Sequence, residues 1–164
     1  MMRRLVPTFF ALASLAAPIA GQAPAPAEKH PDFAGTWVMD PTRSVGSNAP
    51  GLTFKVRTDS GKLTYTRIPI TTPRTPTSTL RVMFDGQPTK NTFAFKPDPL
   101  EMTLVGKWEG SSFLVKTATK IGDKKSDQID RWALAADGKT LYFESRSLAG
   151  DVAKTARLVF TKKE

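Results

Sequence analysis

The chain has 164 residues, 40% of them hydrophobic, and a formal net charge of +9 from 24 Lys and Arg against 15 Asp and Glu. Those fractions fit one globular domain with room for a core and exclude a disordered or collagen-like chain. Cysteine is absent and histidine occurs once, at His30, which excludes disulfides, thiol chemistry, zinc–thiolate sites and a histidine metal cluster.

Residues 1–21 read MMRRLVPTFFALASLAAPIAG: Arg3 and Arg4, an uncharged apolar run from Leu5 to Ala20, then small residues. That order predicts a secretory signal peptide cleaved at or just after Ala20. The apolar run is broken by Pro7 and Pro18 and falls short of the ~20 residues a membrane-spanning helix needs. Removal of Arg3 and Arg4 lowers the charge from +9 to +7. Residues 22–31, QAPAPAEKHP, form an Ala/Pro-rich tether with His30 solvated in it. The folded unit is expected over 32–164, in a periplasmic or secreted protein.

From Asp32 onward the pattern has period two. Leu52, Phe54 and Val56 alternate with Thr53, Lys55 and Arg57; Leu63 and Tyr65 with Thr64 and Thr66; Leu80, Val82 and Phe84 with Arg81, Met83 and Asp85. Further along, Leu100, Met102 and Leu104 share a face, as do Phe113, Val115, Thr117 and Thr119. Trp132 with Leu134, Leu141 with Phe143, and Leu158 with Phe160 complete the series. Ser60-Gly61, Asp85-Gly86, Glu109-Gly110, Gly122-Asp123 and Asp137-Gly138 punctuate it as turns. The segment Ile68 to Thr77 has three prolines and reads as a rim loop or an extended connection, not a central strand.

This pattern predicts an all-β fold, an antiparallel up-and-down β-barrel of about 8–10 strands, since hairpins with one apolar face must close on themselves or pack on a second sheet. A β-sandwich would give the same alternation. Lys55, Arg57, Lys62, Lys116, Lys120 and Arg146 lie opposite the apolar stripes. Facing lipid, each would cost about 2–4 kcal/mol at mid-depth, so an apolar interior and a solvated exterior are expected.

The opening Asp32-Phe33-Ala34-Gly35-Thr36-Trp37 resembles the N-terminal signature of lipocalins and fatty-acid-binding proteins, and Thr155 to Lys162 is similar to their last strand. In those barrels a basic residue of the last strand covers the first-strand tryptophan. The resemblance thus implies barrel closure by Gly35, Trp37 and Arg157. Gly106-Lys107-Trp108-Glu109-Gly110, Trp132-Ala133-Leu134 and Asp137-Gly138-Lys139-Thr140-Leu141 resemble landmarks of small secreted bacterial lipocalin-like domains of the calycin superfamily, largely without assigned function. Two features depart from fatty-acid-binding proteins. Val159 stands where their last-strand tyrosine holds a fatty-acid carboxylate, and Asp40 to Gly51 is a Pro/Gly/Ser-rich loop where they carry a helical pair.

No G-x-S-x-G elbow, P-loop or H-E-x-x-H is present, so no enzyme and no cofactor or metal are expected. Asp123, Asp127 and Asp130 lie beside Lys124, Lys125 and Arg131 and read as a solvated, charge-balanced hairpin. Basic residues are spread over most strands while aromatics take the inward phase, which argues against a nucleic-acid surface. The charge leaves room for weak attraction to anionic envelope surfaces. Tyr65, Arg67, Thr117 and Ser145 continue the inward phases of their strands, as polar groups orienting a ligand in an apolar pocket do. Arg67, as the inward cation, would then select a carboxylate or similar acceptor. The expected function is a monomeric, exported binding or carrier module for a small apolar or amphipathic molecule. The alternative is an envelope structural or interaction module with a filled core, which periodicity alone does not separate from a cavity.

Overall fold

The computed structural model describes residues 30–46, 51–59, 61–69, 77–94, 96–149 and 152–164. Ten antiparallel strands run in chain order: β1 (Gly35–Met39), β2 (Leu52–Asp59), β3 (Lys62–Pro69), β4 (Ser78–Met83), β5 (Thr89–Phe93), β6 (Leu100–Glu109), β7 (Ser112–Ile121), β8 (Lys124–Leu134), β9 (Thr140–Ala149) and β10 (Val152–Lys163). They form a single sheet in the order β4-β3-β2-β1-β10-β9-β8-β7-β6-β5. The return of β10 to β1 bends this one sheet into a nearly closed barrel, which decides against the sandwich. The alternation produces it: Leu52, Phe54 and Val56 are buried while Lys55 and Arg57 are exposed, and the turn glycines Gly61, Gly86, Gly110, Gly122 and Gly138 all take positive φ.

The seam lies between β4 and β5, the two ends of the sheet. A side chain bridges it. The Arg81 amide donates to Asn91 Oδ1 at 2.9 Å, and Asn91 Nδ2 donates to the Arg81 carbonyl at 3.1 Å. The amide of Asn91 therefore supplies to β4 the donor and acceptor that a neighbouring strand would have offered. Beyond the start of β5, β6 closes directly on β4, with Gly106 against Val82 and Met83.

One end of the barrel is plugged. Phe33 is fully buried, and its carbonyl accepts from Trp37 Nε1 at 2.8 Å. Asp32 anchors the plug by accepting from the Ala34 amide and the Thr58 hydroxyl, at 2.9 and 2.7 Å. Trp108 stacks on Phe33, and His30 stacks in parallel on Trp108 at 4.1 Å. His30 is thus a cap on this aromatic end, not a merely solvated tether residue.

The expected Trp37–Arg157 closure is corrected. Trp37 pairs with Lys162 in the β1–β10 ladder, and Lys162 Nζ lies 5.3 Å from its ring centroid. Gly35 leaves room for that lysine, since a Cβ there would lie 2.6 Å from Lys162 Cε. Arg157 points outward, pairs with Glu144 at 3.6 Å and bridges by its backbone to Val45. The reason is parity: Leu158 and Phe160 face inward, so Arg157 is out of phase and Lys162 is in phase. Lys162→Ala is expected to cost about 1 kcal/mol, from the lost cation–π contact and stem packing. Arg157→Ala removes an exposed ion pair of a class that contributes ~0–1 kcal/mol. Urea melts of the two variants check the ranking; a larger loss for Arg157 would reverse it.

The β1–β2 connection carries no helix among the described residues. It lies along β10 instead: the Asp40 amide donates to the Val159 carbonyl, Val45 and Arg157 exchange backbone bonds, and Ser44 Oγ accepts from the Val159 amide.

Candidate functional site

The interior changes character along the barrel axis. Near the plug it is solid. Phe54 of β2 stacks on Trp132 of β8 and on Phe160 of β10, at 5.2 and 4.6 Å between ring centroids, and meets Phe143 of β9 at 5.3 Å. Tyr65 of β3 sets an edge on Trp132 at 5.1 Å. These contacts cross the barrel, so opposite walls touch at this level.

One step toward the other end, the inward positions turn polar. Asp130 lies between Val115 and Ser145 in the ladder, and Gln128 between Thr117 and Ser147. Arg67 sits across from Phe54 and Ser78, one inward step beyond Tyr65. Arg67, Thr119, Gln128, Ser145, Ser147 and Ala156 face inward yet are only half-buried, whereas the residues below them are closed off. Solvent reaches the inner wall here; this is the barrel mouth. Residues 70–76 of the predicted rim loop lie outside the described residues.

All four ligand-binding residues expected from the sequence face this interior. Tyr65 and Thr117 are buried, and Arg67 and Ser145 are half-buried at the mouth. The sequence reading missed Asp130 and Gln128. Asp130 is 3% exposed, not part of a solvated hairpin; Asp123 and Asp127 are exposed as expected. Gln128 Nε2 donates to both Asp130 oxygens, at 2.7 and 2.9 Å, and Ser145 stands opposite Asp130 in the ladder.

Burial raises the Asp130 pKa above its ordinary 3.8, although Ser145, Gln128 and the charge of Arg67 all favour the ionised form. Burial likewise pushes the Tyr65 phenol up, reinforced by the charge of Asp130 and opposed by that of Arg67. The three groups therefore act on one another within one site. Because folded Asp130 holds its proton more tightly than the unfolded chain does, its contribution to stability is most favourable below pH 3.8 and is lost as pH rises through the raised folded value. Asp130→Asn should thus gain thermal stability relative to the native protein as pH is raised from below 3.8 to neutrality. Melts showing a difference independent of pH would mean that Asp130 is fully compensated.

A cavity of about 430 Å³ lies on the outside of the wall, over β6 to β9. The outward-facing Lys116, Ile129 and Arg146 form one row across it, beside Val105, Ala118 and Leu148. Among the described residues no cluster of His, Cys, Asp or Glu could hold a metal ion, and no helix is long and apolar enough to cross a membrane.

The described residues form a nearly closed, ten-stranded antiparallel barrel with a plugged end and a polar inner mouth. Solved structures of that type are similar to this chain. A fatty acid transporter, REP1-NXSQ, matches with a TM-score of 0.55 and 14% identity, over 80% of this chain and 96% of its own. The zebrafish ileal bile acid-binding protein, complexed with cholic acid, matches at 0.53 and 11%, over 80% and 98%. A secretory abundant heat soluble protein from Ramazzottius varieornatus matches at 0.53 and 13%, over 80% and 95%. At these identities the likeness shows the fold. No protein-family model matches the chain, and no curated protein sequence does.

Proposed function

We propose that this chain is an exported, monomeric carrier that binds a small apolar or amphipathic molecule in the mouth half of the barrel, and that it is not an enzyme. One observation carries the reading: a solvent-reached inner wall bearing Arg67, Gln128, Asp130 and Ser145 stands directly above an aromatic floor of Phe54, Tyr65, Trp132 and Phe143. Such a wall seats an apolar tail on the rings and a head group on the polar ring. The neighbours named for fatty acid transport and bile acid binding support a lipid-sized cargo. The Arg3-Arg4 and apolar leader supports export to the periplasm or medium. Native mass spectrometry of the mature protein is expected to show a co-purified small molecule, on a chain whose first residue lies at or just after Ala20. Met1 or Met2 as the first residue of the exported chain would reject cleavage at Ala20, and a chain retained inside the cell would reject export. A bare protein whose tryptophan fluorescence ignores added decanol and decanoate would reject the carrier.

The outer groove favours a second reading, an envelope interaction module. Its apolar Val105, Ala118, Ile129 and Leu148 with Lys116 and Arg146 suit an acidic partner. That reading expects association to weaken on joint Ile129→Asp and Arg146→Glu substitution and to persist in Asp130→Asn.

A further inference from the structure

We infer that the mouth selects a neutral amphiphile with a hydroxyl head group and discriminates against a carboxylate of the same chain length; this rests on the carrier reading and names its ligand class. Arg67 alone would have favoured an anion. Asp130 changes that, because it places a buried carboxyl on the same inner wall of the mouth that Arg67 faces, a group of opposite charge sign.

The hydrogen-bonding inventory points the same way. Both Asp130 oxygens accept from Gln128 Nε2. That uses one N–H of the Gln128 amide and leaves its carbonyl oxygen and its second N–H to offer a ligand. Ser145 stands opposite Asp130 in the β8–β9 ladder and faces the same interior, where its hydroxyl can donate or accept. Asp130 is thus the accepting group on β8, Gln128 and Ser145 beside it offer both donors and acceptors, and Arg67 is the donor-only group on β3. A carboxylate, which only accepts, can meet Arg67 but must then stand near a buried like charge. An ammonium can meet Asp130 but is opposed by Arg67. A hydroxyl does both jobs, donating to Asp130 or its neighbours and accepting from Arg67, and carries no charge into a poorly solvated site.

The test compares decanol with decanoate, titrated into the mature protein near neutral pH by isothermal calorimetry and by the fluorescence of Trp132 and its neighbours. The native protein is expected to bind decanol about tenfold or more tightly than decanoate. Asp130→Asn removes the like charge while keeping an amide of the same shape, and the ratio should close to near unity or invert. Arg67→Met should widen it, because the carboxylate then loses its counter-charge. If decanoate binds the native protein as tightly as decanol, or if Asp130→Asn leaves the ratio unchanged, the inference fails and the carrier reading stands. If neither probe binds the folded native protein or either variant, the carrier reading fails and the inference falls with it.

Discussion

Phe54→Ala is expected to lower the unfolding free energy by about 3–5 kcal/mol, the range for deleting a fully buried aromatic ring and leaving its cavity. Phe54 is fully buried and its ring meets Tyr65, Trp132, Phe143 and Phe160, at 4.6–6.0 Å between centroids. Those partners come from β3, β8, β9 and β10, so one side chain ties together both walls of the barrel. The void has little prospect of collapsing, because each lining ring is itself held by a strand ladder. Urea denaturation should show a loss of unfolding free energy that is a large share of the ~5–15 kcal/mol that holds a typical domain together. Phe54→Leu, which keeps most of the volume, should lose much less and secures the comparison if the alanine variant does not fold. A loss below about 1 kcal/mol for alanine would mean that the walls do not meet through this ring.

The barrel was legible because its strands keep one parity over long runs. Leu52, Phe54 and Val56 or Phe113, Val115 and Thr117 each declare a buried face without reference to any other part of the chain. The same rule, carried one step further, would have found what was missed. Trp132 was read as inward; Asp130 and Gln128 stand two and four residues before it on the same strand, hence on the same face. The neighbouring Lys124, Lys125 and Arg131 drew Asp130 into a charge-balance reading that ignores which way a strand residue points, and Gln128 went unnoticed beside it. Arg157 was misplaced for the opposite reason: the resemblance to other barrels asked for a basic residue near the end, and parity with Leu158 and Phe160 selects Lys162. The seam between β4 and β5 was illegible altogether. Asn91 and Gly106 act through contacts to β4 that have no local periodicity to announce them.

Gly106→Ala is the second substitution expected to have a large effect, about 1–3 kcal/mol of destabilisation from overpacking. At this position a Cβ would lie 2.5 Å from the Met83 carbonyl oxygen, 2.4 Å from Phe113 Cζ and 2.7 Å from Val82 Cγ2. The rings and methyls could turn aside at some cost, but the Met83 carbonyl belongs to the backbone of β4 and moves only with its strand. The strain would therefore fall on the one place where the sheet is not closed by a ladder, and where the Asn91 amide holds the Arg81 backbone across the gap. Pushing β6 off β4 would lengthen those two bonds and expose the Arg81 amide and carbonyl. Hydrogen exchange at the Arg81 amide should accelerate more in Gly106→Ala than exchange at Phe54, which sits in the continuous part of the sheet. A variant with native stability and unchanged exchange at Arg81 would mean that β6 does not press on β4 as the structure places it.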